Sequence, residues 1–194
     1  MTDAKIKHIT TPLTAETIKD LHAGDVVRIT GPVYTARDAA HKRMTEAMAE
    51  GRPLPFDIKG QVVYYVGPSP TKPGEIVGSA GPTTSGRMDK YTPALIAEGM
   101  RGMIGKGLRG KEVVEACVKY GAVYFVAVGG AAAVISQSIK GEKMIAYEDF
   151  GAGSYPPLRS GGFSCYCVHR CRRQRFFIKS VLPNTARNKQ HIKQ

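Results

Sequence analysis

Strand-like and helix-like segments alternate along the 194 residues, which predicts an α/β fold in one compact domain. Short β-branched runs (GDVVRITG, QVVYYVGP, AVYFVAV) are separated by Ala-, Glu- and Lys-rich stretches of helical composition. Most of these runs stop at Gly or Gly-Pro, and neither an internal repeat nor a low-complexity linker divides the chain. A hydrophobic content of 42 % suits a buried core.

Taken in order, Gly24–Gly31 alternates and reads as a strand entering a loop. Ala36–Gly51 is rich in Ala, Met, Glu and Lys and ends on Gly, the profile of a helix. Gln61–Pro68 is a second strand, followed by the turn-rich PSPTKPGE and a short strand, EIVGSAG. GPTTSGRMDKYTPALIAEGM is a Gly/Thr/Ser loop feeding a helix with apolar Leu95, Ile96 and Met100. Met103–Gly107 is a short strand running into a glycine turn, and KEVVEACVKYG is a helix with a glycine stop. AVYFVAV is a buried strand, and GGAAAVISQSI opens a further helix.

AVYFVAVGGAAAVIS, the most apolar stretch, is broken by Gly129–Gly130 and is too short to span a membrane. The first residues, MTDAKIKHITTPL, contain no apolar signal region, so a cytoplasmic location is expected. The net charge of +12 suggests nucleic acid until it is located. Nine of the 28 Lys and Arg lie in residues 153–194 with no acid among them, leaving 19 basic against 16 acidic side chains before that point. A domain-wide electrostatic footprint for DNA or RNA is therefore absent and nucleic acid is not the expected partner, though a basic nucleic-acid-binding protein acting through the +9 tail is the rival reading from another class.

Three loops carry chemistry-bearing residues. In GPTTSGRMD, Thr83, Thr84 and Ser85 stand between Gly81 and Gly86, with Arg87 next, before a helix, where free N–H groups and the dipole favour an anion. The plainer reading is an N-cap loop whose hydroxyls satisfy the first turn. In YTARDAAHKR, Arg37, His41, Lys42 and Arg43 crowd a helix start, against the dipole, which an anionic ligand would explain. The alternative is a solvated face with Asp38 and Lys42 paired at i,i+4 and His41 on the surface. In GKG, Lys106 sits between two glycines and could reach a ligand. Together Arg37, Arg87 and Lys106 against Thr83 and Thr84 suit a small dicarboxylate, without a Walker or dinucleotide fingerprint.

GDVVRITGPVYTARDAAHKR, GPTTSGRMDKYTPALIAEGMRGMIGKG and AVYFVAVGGAAA, in that order, resemble the β subunit of two-subunit class I fumarases. The same module forms the C-terminal domain of single-chain class I fumarases and the β subunit of L-tartrate dehydratase. The likeness covers roughly Ile6 to Phe150. It implies a swivelling β/β/α domain and an iron–sulfur hydro-lyase that interconverts fumarate and L-malate. L-tartrate to oxaloacetate is the alternative reaction. It also implies a 4Fe–4S cluster carried by a partner α subunit and not ligated by this chain, in a hetero-oligomer or homo-oligomer. Carried over by motif, Arg37 and Arg87 clamp substrate carboxylates, Lys106 adds a third cation, and Thr84 and His41 adjoin the substrate. Thr83 lies near the carbon that gains or loses a proton.

The resemblance ends near Gly151, which divides a domain over residues 1–152 from a basic tail over 153–194. Where the family closes with an acidic and apolar strand pattern ending in Gly-Asn-Asp, this chain has SYPPLRSGGFSCYCVHRCRRQRFF. Back-translated and read one base later, that stretch permits EVEDFPAIVYIDAAGNDF, with Cys165–Tyr166–Cys167 becoming Ala-Ile-Val. A single-base frameshift near Ala152–Gly153, in the gene or its sequencing, is expected. A tail expressed as written is then expected to lack the last strands of the sheet and to expose an edge. The tail's C-x-C-x₃-C spacing lacks the paired CxxC of a zinc module, and Cys117 reads as a buried core residue.

Overall fold

The computed structural model describes residues 6–67, 74, 78–127, 138–142 and 158–169, with the backbone path alone for Gly141, Glu142 and residues 158–169. Within these residues β1 (Lys7–Thr10) leads through the short helix α1 (Ala15–Ile18) to β2 (Val26–Thr35) and α2 (Asp38–Ala49). β3 (Val62–Tyr64), a 3₁₀ turn (Ser85–Met88) and α3 (Thr92–Glu98) follow, then β4 (Gly102–Gly105), α4 (Lys111–Tyr120) and β5 (Val123–Val126). β6 (Ile139–Glu142) and β7 (Leu158–His169) complete the sheet. The architecture is mixed α/β with a curled, largely parallel sheet.

β1 to β5 run parallel in sequence order, with Tyr34 opposite Val63, Val63 opposite Met103 and Met103 opposite Tyr124. Because successive side chains of a strand point to opposite faces, each strand feeds two cores. Val63, Tyr65, Met103 and Tyr124 pack with Met44 of α2, Leu95 and Ile96 of α3, and Val113 and Cys117 of α4. Val62, Tyr64, Ile104, Val123 and Phe125 face the other way, into a cluster with Ile9, Val27, Ile29 and Ile139. Helices therefore cover one face of the parallel strands, and the curl of the sheet encloses the second cluster. Cys117 is buried in the helical layer, as expected. α4 ends where expected, at Gly121, whose φ of 74° is the left-handed cap conformation that glycine adopts without strain.

The expected open edge is corrected. β7, built from residues of the expected tail, pairs antiparallel with β2 (Val26 opposite Tyr166), with β5 (Phe125 opposite Cys167) and with β6. Among the described strands pairing thus runs β2–β3–β4–β5–β7 and returns to β2, a closed ring on which β1 and β6 are flanking strands with one partner each. The fit is irregular: Ile29 faces Phe163 and Thr30 faces Gly161, so Gly162 bulges out of the β2–β7 ladder.

Other expectations shift at their boundaries. The second strand is longer than Gly24–Gly31 and runs to Thr35. The expected strand EIVGSAG falls on residues 75–81, of which the described 78–81 are not strand, and the expected helix over Gly129–Ile139 is corrected at its end, where Ile139 begins β6. Residues 75–77 and 129–137 of these segments lie outside the described residues, as do the side chains of the cysteine-rich stretch. Among the described residues no helix is long and apolar enough to cross a membrane.

Candidate active site

Parallel strands put the C-terminal ends of β2, β3, β4 and β5 along one edge, where open α/β sheets place their ligands. All three loops singled out in the sequence leave from that edge. The Arg37 loop continues β2, with the Ala36 N–H donating to the Tyr64 carbonyl at 3.2 Å. The Thr83 loop is tied to β3 by a bridge between Val66 and Pro82 and by the Thr83 N–H donating to the Tyr65 carbonyl at 2.7 Å. Lys106 follows β4. Its N–H donates to the Thr83 carbonyl at 3.3 Å, and its own carbonyl accepts from the Ser85 N–H at 2.9 Å. Thr83, Thr84 and Lys106 are thereby held side by side by backbone bonds, which fixes them more firmly than side-chain contacts would.

Gly105 makes this approach possible. A Cβ there would stand 2.0 Å from Ser85 Oγ and 3.0 Å from Tyr65 Cδ2, so only glycine lets the Ser85 turn lie against β4. Ser85 is buried and its hydroxyl is 2.8 Å from the Tyr124 hydroxyl, which donates to the Gly107 carbonyl at 2.9 Å. Burial pushes the Tyr124 phenol up to about 12, against the opposing pull of Ser85 and of the Arg109 charge. Tyr124 therefore stays a neutral donor that pins the glycine turn carrying Lys106.

Arg87 joins the first two loops. Its Nε donates to Asp38 Oδ1 at 3.1 Å and its Nη2 lies 2.8 Å from Asp38 Oδ2, a two-pronged pair between the 3₁₀ turn and the first turn of α2. The expected Asp38–Lys42 pair is corrected: Asp38 is engaged by Arg87, and Lys42 pairs with Glu46 at 3.6 Å. The expected helix start after Thr83 is corrected too. Ser85–Met88 is a single 3₁₀ turn, α3 begins only at Thr92, and the Thr84 side chain makes no capping bond. Arg37 occupies the N-cap of α2, likewise with no side-chain capping bond, and Lys106 is exposed.

His41 is not a surface residue. It is 0 % exposed, its Nδ1 is 2.9 Å from the Arg37 carbonyl, and its ring meets Tyr65 edge-on at 5.2 Å. Its Nε2 has no hydrogen-bond partner among the described residues. Burial pulls its pKa from 6.5 down to about 4; the Arg37 carbonyl opposes this and the Arg109 charge reinforces it. The neutral imidazole thus donates from Nδ1 and props the Arg37 backbone from below.

The sequence reading missed Arg109. Its side chain is fully buried, with Nε donating to Asp89 Oδ1 at 2.7 Å, Nη2 to Thr92 Oγ1 at 2.8 Å and Nη1 to the Tyr65 hydroxyl at 3.2 Å. The guanidinium carbon also lies 5.1 Å from the ring centres of both Tyr65 and Tyr124. Burial works against its charge, but Tyr65 and Asp89 outweigh it and raise the pKa. Only its place three residues after Lys106 in GKGLRG hinted at a role, and an arginine in a glycine-rich loop reads first as solvated.

Among the described residues no three His, Cys, Asp or Glu side chains stand together as a metal-holding group, and Cys117 is sealed in the helical core. The described residues do not fit an iron–sulfur cluster's ligand set. What the edge brings together is three loops that carry Arg37, Arg87 and Lys106, two of them joined through the backbone at Thr83, Thr84 and Lys106.

Residues 2–156 match the family described as Fumarase C-terminus. The chain belongs to that family. It is 42 % identical over 161 residues to the class I, aerobic fumarate hydratase of Escherichia coli, which covers 82 % of this chain and 29 % of that protein. It is 38 % identical over 151 residues to the mitochondrial fumarate hydratase 1 of Leishmania major, covering 77 % and 28 % respectively. With the putative L(+)-tartrate dehydratase subunit beta of Methanocaldococcus jannaschii it shares 37 % over 131 residues, 66 % of this chain and 67 % of that one. The chain thus spans less than a third of the fumarate hydratases it matches. It spans about two-thirds of the Methanocaldococcus jannaschii relative.

Proposed function

We propose that this chain is the β subunit of an iron–sulfur-dependent hydro-lyase that reversibly hydrates fumarate to L-malate. The observation that supports the reading is the departure of the loops carrying Arg37, Thr83, Arg87 and Lys106 from one edge of the sheet, in a member of the Fumarase C-terminus family. Arg37 and Arg87 take the two carboxylates of a four-carbon diacid, and a charged hydrogen bond lost from such a clamp costs about 1.5–3 kcal/mol. Lys106 adds a third positive charge beside the reacting carbons. His41 acts from beneath by holding the Arg37 backbone.

Thr83 exchanges the proton at carbon. A threonine hydroxyl is a poor base at its ordinary pKa, so the role needs neighbouring cations to stabilise the alkoxide, and Lys106 is backbone-bonded to Thr83 itself. The 4Fe–4S cluster belongs to a partner α subunit, where it would supply Lewis-acid activation of the substrate hydroxyl.

A second reading, the β subunit of an L-tartrate dehydratase, is favoured by the match over two-thirds of a relative named as such. The testing experiment is an anaerobic assay of the full chain mixed with its α partner and a rebuilt cluster. It follows fumarate absorbance with L-malate and, in parallel, oxaloacetate from L-tartrate. Malate turnover that needs both chains is the expected result. Tartrate turnover alone changes the substrate, and no turnover of either overturns the reading.

A further inference from the structure

We infer that Asp38 is a positioning residue for substrate binding, acting through Arg87. The inference rests on the dicarboxylate-clamp reading above. A carboxylate beside a dianion site repels the ligand, so its presence calls for a specific use. Arg87 is half exposed, on a single 3₁₀ turn, and its long side chain has many rotamers open to it. Among the described residues Asp38 is the one partner that fixes it, and the way it does so is informative. Asp38 engages Nε and Nη2, the side-on edge of the guanidinium. That leaves the end-on fork, Nη1 with the second N–H of Nη2, for another carboxylate.

Asp38 also directly follows Arg37, the N-cap of α2. Holding Arg87 from this position sets the spacing between the two arginines that would receive the two ends of the substrate. Its own charge is offset by the pair it makes. Asp38 is thus a spacer between two cations rather than a competitor for one of them.

The experiment uses the full chain assembled with its cluster-bearing partner. Asp38→Asn, Asp38→Glu, Arg87→Ala and the double variant Asp38→Asn/Arg87→Ala are compared by fumarate kinetics and by calorimetric binding of succinate, a non-reacting dicarboxylate. Asp38→Asn is expected to raise KM and the succinate Kd about tenfold, the scale of one weakened charged hydrogen bond, with a much smaller change in kcat. Asp38→Glu should recover part of the loss. In the Arg87→Ala background Asp38→Asn should add nothing, because its effect passes through Arg87. Tighter or unchanged succinate binding in Asp38→Asn, beside clear weakening in Arg87→Ala, overturns the inference and leaves the clamp standing. An additive loss in the double variant also overturns it. If Arg87→Ala itself leaves succinate binding unaltered, the clamp reading fails and the inference with it.

Discussion

Asp89 holds the loop after β4 with both carboxylate oxygens: Oδ1 accepts from Arg109 Nε at 2.7 Å, and Oδ2 accepts from the Gly110 N–H at 2.6 Å. One side chain therefore fixes both the buried end of the Lys106 loop and the start of α4. Breaking a buried ion pair leaves an uncompensated charge and costs about 3–5 kcal/mol. Arg109→Ala is expected to lose stability on that scale by urea denaturation. Arg109→Lys should recover little of it, because one ammonium cannot reach Asp89, Thr92 and Tyr65 together.

Gly105→Ala tests the closeness of the Ser85 turn to β4. The added methyl cannot coexist with Ser85 Oγ in its present place, so the Ser85–Tyr124 bond must break or the turn must move. A loss of about 1–3 kcal/mol in thermal or urea unfolding is expected, with lower turnover in the assembled enzyme.

His41 makes stability depend on pH. Its pKa is about 4 when folded against 6.5 unfolded, so between those values the unfolded chain binds more protons. Stability is therefore complete above about pH 6.5 and falls as pH drops toward 4, by up to about 3 kcal/mol. In His41→Gln this part of the slope of Tm against pH should disappear. An unchanged slope means that other groups govern it.

Thr83→Ala separates proton transfer from binding. Positioned proton transfer is worth ~10²–10⁴-fold, so kcat should fall on that scale while KM moves little. Arg87→Ala should mainly raise KM. Near-normal turnover of Thr83→Ala in the assembled enzyme removes the proton-transfer role.

Residues 153–194 are read as a frameshifted ending, a proposal that the coding DNA decides. The expected finding is a one-base difference near Ala152–Gly153 whose correction yields the shifted reading; codons there that forbid Glu-Asp-Phe-Pro overturn it. A chain with the restored frame should have the higher Tm, because PAIVYI suits a strand between β5 and β2 better than a segment that must bulge at Gly162.

The alternation of strands and helices was legible because periodicity and glycine stops are local signals, and α2, β4, α4 and β5 stand close to where they were expected. The three loops were legible as well, since hydroxyls and cations between glycines are conspicuous. What stayed hidden depends on contacts across the fold. Nothing in YTARDAAHKR says that Asp38 reaches Arg87, 49 residues away, rather than Lys42 on its own helix. His41 reads as a surface residue until Tyr65 and Tyr91 close over it. The burial of Arg109 follows from Asp89 and Thr92, Tyr65 and Tyr124 arriving from three other segments. Ring closure by β7 is invisible for the same reason.

That closure sets an order of events on the ribosome. β3, α3, β4, α4 and β5 contact near neighbours in the chain and can associate as they emerge. The ladder from Val26 to Tyr166 joins the second strand to the last of the described strands, so it waits until synthesis has passed His169. Through that interval β2 and β5 each present a row of unpaired N–H and C=O groups to the cell. The nascent chain is thus most vulnerable to aggregation late in its synthesis, with the helical layer already built and one strand still missing.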